Sequence, residues 1–264
     1  MGPGGDALQE PLRLWAVIEY DGTDFYGFQL QARERTVQGE IERAVEAVTG
    51  EERRVTGAGR TDRGVHARGQ VVGFEANWRH SPGDLHRALN ATLAPDVAIV
   101  RLGRAAAGFH PRFSARSRAY RYTILNQPRR SPLHRRRAWH VRRELDLDRM
   151  GRAARCLIGS HDFGTFGRPP GEDGGGHSVR TVLRADWQAQ GPMLTFDVEA
   201  NSFLYRMVRS IVGTLVRVGW GELSVDEFHS ILEARDRRQI KLVAPPQGLC
   251  LMQVNYAACE GVMQ

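Results

Sequence analysis

The chain has 264 residues, of which 41% are hydrophobic and 25% charged, as expected for a globular protein with one large domain or two small ones. A net charge of +7 and a pI of about 9.9 favour an anionic partner. Three cysteines without CxxC spacing exclude a zinc site of that type, and the lack of a signal-peptide pattern or an 18-residue apolar run predicts a cytoplasmic protein without a membrane span.

The first half of the chain alternates strand and helix patterns. Residues 1–11 predict a flexible N-terminal tail. Thr36 and Ser81 are predicted N-caps, and Gly50 ends the first helix. The predicted elements are strand Leu12–Tyr20, a helix after Thr36, strands Arg53–Ala58 and Gln70–Glu75, a helix to about Asn90, and strand Val97–Leu102. This order, βαββαβ, is that of a ferredoxin-like unit.

The second half repeats this order of elements without a matching residue period. We therefore predict an α+β fold of two ferredoxin-like (βαββαβ) halves, spanning 12–105 and 106–256, with a C-terminal tail at 257–264. The predicted strands are Arg116–Asn126, Thr181–Ala189, Leu194–Ala200 and Gly248–Tyr256; the predicted helices are Leu147–Ile158 after Asp146, Phe203–Val218, and a short one opened by the Ser224–Glu227 capping box.

Two further segments are predicted to lack regular structure. Residues Gln127–Arg143 contain seven arginines and no acidic residue. Such a run is usually a solvated surface, but dense like charges also suit an RNA backbone. Residues Gly164–Gly176 contain six glycines and two prolines, which predicts a mobile loop that could cover a site. In the first of these segments, Gln127–Arg143, the arginines expected to contact RNA are Arg129, Arg130, Arg135, Arg136 and Arg137.

A polar, glycine-rich stretch from Thr56 to Gln70 carries the main candidate for chemistry, Asp62. Its carboxylate could cap a turn with its own side chain, or be presented by the loop as a nucleophile or base. A metal pair with His66 lacks a third ligand. The sequence contains no GxSxG, P-loop or GxGxxG motif, so these alternatives for Asp62 stay open on spacing alone.

The stretch GRTDRGVHARGQV resembles the active-site motif of the tRNA pseudouridine synthase A family, with Asp62 on its nucleophilic aspartate. Four further stretches resemble the family in the same order: EYDGTDFYGFQLQ, FHPRFSARSRAYRY, NSFLYRMVRSIVG and APPQGLCL. They place Tyr120 on the active-site tyrosine and Arg209 on the conserved arginine. Phe28 stands where the family commonly has tryptophan, and Arg206 where it commonly has histidine, so roles at these two positions do not carry over.

The resemblance implies isomerisation of uridine to pseudouridine at positions 38, 39 and 40 of the tRNA anticodon stem-loop. It also implies no cofactor, no metal, and a homodimer whose two subunits embrace one tRNA. The implied fold is two ferredoxin-like halves that share a continuous, mainly antiparallel sheet with a central cleft.

The resemblance also suggests roles for single residues. Asp62 would attack the sugar C1′, or assist departure of the base and abstract a sugar proton. Arg209 would pair with Asp62, or form an interhelical or surface ion pair. Tyr120 would stack on the extruded base and transfer a proton, or lie in the core. Arg60 and His66 would hold phosphate or help extrude the base, or tie down the loop.

Two other functions compete with a pseudouridine synthase. One is a non-catalytic RNA-binding protein with tandem ferredoxin-like halves, in which an acidic group in a basic RNA-facing loop would repel phosphate. The other is a metal-dependent hydrolase that uses Asp62 and His66.

Overall fold

The computed structural model describes residues 11–169 and 177–257, and this part of the chain forms ten β-strands and five α-helices. The rest of the two predicted tails, 1–10 and 258–264, lies outside the described residues. The strands are β1 (Leu12–Tyr20), β2 (Thr56–Gly57), β3 (His66–Ala76), β4 (Val97–Arg104), β5 (Ser117–Asn126), β6 (Trp139–Val141), β7 (Gly159–Asp162), β8 (Val179–Gln190), β9 (Met193–Ala200) and β10 (Leu249–Asn255). The helices are α1 (Val37–Thr49), α2 (Pro82–Thr92), α3 (Leu147–Arg155), α4 (Met207–Gly219) and α5 (Val225–Glu233).

The predicted helix caps are confirmed. The Thr36 side chain accepts from the backbone N–H of Gly39, which satisfies a donor at the start of α1. Gly50 ends that helix with a left-handed φ of 75°. Ser81 and Ser224 each form a reciprocal capping box at the start of α2 and α5.

The strand order confirms two ferredoxin-like halves. The main sheet runs β4-β1-β3-β10-β5-β9-β8-β7, with β2 paired to β3. In the first half the strand order is β4-β1-β3-β2, so the first strand of the unit lies between its fourth and third strands. In the second half, β10, β5, β9 and β8 take the same four places. The repeat of element order read from the sequence is therefore a repeat of topology.

The halves join where β10 lies parallel to β3, with Cys250 opposite His66. Gly69 sits at a bulge of β3 relative to β1, and Met252 sits at a bulge of β10 relative to β5. A Cβ on Gly69 would lie 2.4 Å from the Met252 carbonyl oxygen, so only glycine allows this approach. The result is one continuous sheet, antiparallel except at the β3–β10 and β5–β6 pairs.

Buried apolar residues form one core cluster that runs through both halves, from Ile18 and Ile41 in the first to Phe196 and Phe228 in the second. Tyr122 is one of its largest fully buried side chains. Among residues 11–169 and 177–257, no helix is long and apolar enough to cross a lipid bilayer.

Several predicted elements differ in extent from those observed. Strand β3 begins at His66, four residues before the predicted Gln70, and α3 ends at Arg155, three residues before the predicted Ile158. The strand predicted at Arg53–Ala58 is reduced to Thr56–Gly57. The predicted helix Phe203–Val218 begins at Met207, because the backbone of Tyr205 pairs with Arg168 instead of continuing a helix. Arg206, with a φ of 61°, then turns the chain into α4.

The two segments predicted to be irregular contain more structure than expected. Within Gln127–Arg143, a short 3-10 helix at Pro132–His134 precedes β6, which pairs with β5. At the start of Gly164–Gly176, Phe166 is buried against Phe163 and Phe228 in the core. Residues 170–176 of this predicted mobile loop lie outside the described residues.

Candidate active site

Asp62 lies in the connection between β2 and β3, in a tight turn. Its backbone carbonyl accepts from the N–H of Val65 at 3.1 Å. Gly64 is the third residue of this turn and has a φ of 77°, which is the arrangement of a type II turn. The backbone of Asp62 therefore closes the turn, while its carboxylate is directed at a residue 147 positions away.

The loop after β1 supports this turn from one side. The N–H of Phe28 donates to the Thr61 carbonyl at 3.1 Å, and the Phe28 side chain is buried. A Cβ on Gly22 would lie 1.9 Å from the Val65 carbonyl oxygen, which shows how closely the two loops approach. Phe28, one of the departures from the family pattern, is thus a buried packing residue whose ring lies against Gly57 of β2.

Arg209, on the first turn of α4, donates from Nη1 to Asp62 Oδ2 at 2.9 Å. Its Nε donates to the Ala244 carbonyl at 2.7 Å, and the Ala244 N–H donates back to the Arg209 carbonyl at 3.0 Å. A Cβ on Gly213 would lie 2.1 Å from the Leu242 carbonyl oxygen, so α4 packs closely on this segment. The guanidinium is therefore fixed on two sides.

This ion pair joins the two halves of the fold at their seam. The Asp62 side chain is 22% exposed and that of Arg209 13% exposed, so the pair is sheltered but reachable. A charge-assisted bond of this kind fixes the orientation of the carboxylate. Within the described part of the chain, Asp62 Oδ1 has no hydrogen-bond partner, which leaves one carboxylate oxygen for a substrate.

Tyr120 lies on β5 and is buried, with 9% of its surface exposed. Its ring meets Phe203 edge-to-face at 5.0 Å between centroids. Burial raises the pKa of Tyr120; the Arg118 guanidinium opposes this shift and the Asp62 carboxylate adds to it. Tyr122, two residues on, is fully buried in the core, and its hydroxyl donates to the Pro245 carbonyl at 2.7 Å.

His66 is tied to the backbone through both ring nitrogens. Nδ1 accepts from the N–H of Gly22 at 3.0 Å, so Nε2 carries the proton and donates to the carbonyls of Arg136 (2.8 Å) and Gln247 (3.2 Å). Burial lowers the pKa of His66 and thus favours this neutral ring, although the Asp21 carboxylate lies 3.2 Å from Nδ1. These contacts favour the loop-tying role and leave no ring lone pair for a metal shared with Asp62.

The five arginines predicted to meet RNA are all exposed, but they fall into two groups. Arg137 lies 3.1 Å from Asp21 and Arg136 3.7 Å from Asp24, so both are engaged with the loop after β1. Among the described residues, no ion pair involves Arg129, Arg130 or Arg135. Arg60, at the entry to the Asp62 turn, is likewise exposed and has no described ion pair.

Sequence reasoning missed two residues that shape this site. Asp21 receives Arg137 and is in turn held by the hydroxyl of Thr23 at 2.6 Å. Arg118 is buried beside Tyr120 and bonds to four backbone carbonyls. Nothing local distinguishes Arg118 from its many neighbouring arginines, since all of its partners except Ala115 and Arg112 are distant in the sequence.

Comparison with known proteins decides the family. A family model described as tRNA pseudouridine synthase matches residues 16–114 and 153–257. The chain belongs to the tRNA pseudouridine synthase family. The matched segments of this family include Asp62 and Arg209, whereas Tyr120 and the exposed arginines at 129–137 fall between them.

Individual relatives in this family cover almost the whole chain. A tRNA pseudouridine synthase A from Caulobacter vibrioides is 45% identical over 247 residues, covering 91% of this chain and 97% of the relative. One from Roseiflexus castenholzii is 45% identical over 243 residues, covering 90% and 88%. One from Thermoanaerobacter sp. strain X514 is 41% identical over 240 residues, covering 91% and 98%.

Proposed function

We propose that this chain isomerises uridine to pseudouridine in tRNA, with Asp62 as the group that acts on the sugar. The observation that carries this proposal is the Asp62–Arg209 pair, which holds a carboxylate at the seam of the two halves with one oxygen unpaired within the described residues. Membership of the tRNA pseudouridine synthase family supports tRNA as the substrate and disfavours a non-catalytic RNA-binding role.

The reaction requires the protein to position the uridine and to transfer protons. Uridine and pseudouridine contain the same atoms, so redox change and net hydrolysis are both absent. The N1–C1′ bond breaks and a C5–C1′ bond forms, after which C5 loses its proton and N1 gains one. Asp62 either attacks C1′ and displaces the base, or assists its departure and then abstracts a sugar proton.

The neighbouring side chains suit the other steps. Arg209 fixes the rotamer of the Asp62 carboxylate through a charge-assisted bond. Tyr120 offers its ring to an extruded base and its hydroxyl for proton transfer. Arg60, exposed at the entry to the turn, is placed to meet the RNA backbone or the gap left by the base.

The finer features of this proposal rest on the family resemblance. They are action at positions 38, 39 and 40 of the anticodon stem-loop, a homodimer that embraces one tRNA, and a cytoplasmic location. The division into an N-terminal half at 12–105 and a C-terminal half at 106–256 is likewise proposed, and the strand order supports it.

Release of tritium from tRNA labelled at uracil C5 tests the proposed function, because that proton leaves only when C5 becomes the glycosidic carbon. We expect Asp62→Asn to keep its tRNA affinity and lose about 10⁴-fold or more in turnover, as for other single-residue nucleophile losses. Glu34→Gln is the matched control and should keep full turnover, because Glu34 is an exposed acid of the neighbouring loop with no ion pair among the described residues. Substantial turnover by Asp62→Asn would refute the role of Asp62.

A further inference from the structure

Arg118 connects three separate segments of the chain near the site. Its guanidinium donates to the carbonyls of Ala58 (2.9 Å), Arg112 (2.7 Å), Asn201 (2.9 Å) and Ala115 (3.3 Å). The first partner begins the loop that carries Asp62. Two others belong to the connection between the halves, and Asn201 follows β9. One side chain thus fixes the start of the Asp62 loop to the second half.

The charge of Arg118 is unusual for a purely structural brace. The residue is only 9% exposed, and its described hydrogen bonds all go to neutral carbonyls. Burying a cation without a carboxylate is costly, and an arginine stays protonated nevertheless. The four hydrogen bonds require the donors of a guanidinium, because a neutral amide has only two N–H groups. The buried charge then has a second role open to it, on a neighbouring side chain.

Tyr120 provides that role. Residues two apart on a strand share a face, so Arg118 and Tyr120 lie side by side on β5. The Arg118 guanidinium offsets part of the effect of burial on the Tyr120 hydroxyl. On the opposite face of the same strand, Arg121 instead makes a two-bond ion pair with Asp197, at 2.8 Å for each bond.

We propose that Arg118 is a positioning residue for the isomerisation, which holds the Asp62 loop and Tyr120 in register and supplies a positive charge beside the Tyr120 hydroxyl. This inference rests on the proposed function, since it assigns Arg118 an effect on the same reaction. Arg118 contributes to the catalytic step and not to the affinity for tRNA, because its guanidinium is buried and hydrogen-bonded within the protein.

Three variants test the proposal through separate measurements of kcat, KM and tRNA affinity by tritium release and binding. Arg118→Lys keeps the charge but loses the planar fork, and Arg118→Met loses both. We expect kcat to fall about tenfold in Arg118→Lys and about 100-fold in Arg118→Met, with KM and tRNA affinity within about twofold of the original. Arg121→Lys, on the opposite face of the strand, should retain full kcat.

The results of these measurements distinguish a positioning residue from a folding determinant. Full kcat in a folded Arg118→Met, or a loss confined to KM, would overturn the proposal. If both Arg118 variants fail to bind tRNA or to unfold cooperatively, Arg118 is a folding determinant and the proposal is also overturned. An inactive parent protein would instead contradict the proposed function, whereas full kcat in Arg121→Lys shows that the losses in the Arg118 variants are specific to Arg118.

Discussion

At the scale of single residues, the site depends on side chains whose partners lie far away in the sequence. Asp62 and Arg209 are separated by 147 positions, and His66 and Gln247 by 181. The reacting groups were located by the family resemblance of the motifs that carry them, because spacing alone left the role of Asp62 open. The resemblance also suggested the Asp62–Arg209 pair, but not the backbone partners of these side chains, because hydrogen bonds to backbone carbonyls leave no mark on residue type.

His66 allows a prediction about pH. Burial lowers its pKa in the folded protein, with Asp21 opposing that effect and Arg137 adding to it. An unfolded histidine has a pKa of about 6.5, so the unfolded chain binds more protons below that pH. The stabilising contribution of neutral His66 is therefore fully present above about pH 6.5 and is lost as the pH falls, by at most about 1.4 kcal/mol per pH unit.

Thermal or urea unfolding between pH 5 and 8 measures this contribution. His66→Gln keeps a donor for the Arg136 carbonyl but does not titrate, so its unfolding free energy should fall less steeply on the acid side than that of the parent. His80→Gln, at an exposed position, is the control and should keep the parental slope. Equal slopes in all three proteins would contradict the neutral, buried state of His66.

At the scale of elements, the Gln127–Arg143 segment combines two functions that its composition does not separate. Its 3-10 helix and β6 attach it to β5, and Arg136 and Arg137 attach it to the loop after β1. The exposed Arg129, Arg130 and Arg135 face solvent. The segment is therefore both an ordered connection and an exposed basic surface. The sequence analysis considered only a solvated charged surface or an RNA contact for this segment and did not predict the ordered connection.

This division predicts different salt dependences for neighbouring arginines. Removing one arginine–phosphate interaction lowers the slope of log affinity against log salt by about one unit. We expect the triple variant Arg129→Gln, Arg130→Gln, Arg135→Gln to lower that slope for tRNA by about two to three units. Arg137→Gln should change the slope much less, because Asp21 already neutralises Arg137.

Fluorescence titrations with tRNA at several salt concentrations would measure these slopes. An unchanged slope in the triple variant would show that the exposed arginines are a solvated surface. A full one-unit change in Arg137→Gln would show instead that RNA displaces Asp21 from Arg137.

At the scale of the whole molecule, features set by residues close together in the sequence were predicted better than features set by distant pairings. The caps at Thr36, Ser81 and Ser224 were readable because each involves residues within three positions of one another. The start of α4 was misplaced because a distant pairing, between Arg168 and Tyr205, removes its first turn. The repeated topology followed from element order, but the β3–β10 seam has no local signature, since it depends on two bulges that meet.

The seam gives the last prediction, since it sets the distance between a carboxylate on one half and a guanidinium on the other. A Cβ on Gly69 would lie 2.4 Å from the Met252 carbonyl, and backbone in a paired strand yields little. Gly69→Ala should therefore lower the free energy of unfolding by about 1–3 kcal/mol.

The same displacement of β10 against β3 should separate Asp62 from Arg209 and reduce kcat, measured by tritium release below the unfolding transition. Gly59→Ala is the matched control in the same stretch, because a Cβ there has no neighbour within 4 Å. It should change stability by no more than about 0.5 kcal/mol and leave turnover intact. If Gly69→Ala behaves like Gly59→Ala in both measurements, the seam does not set the geometry of the site, and the Asp62–Arg209 pair must be held by contacts within each half.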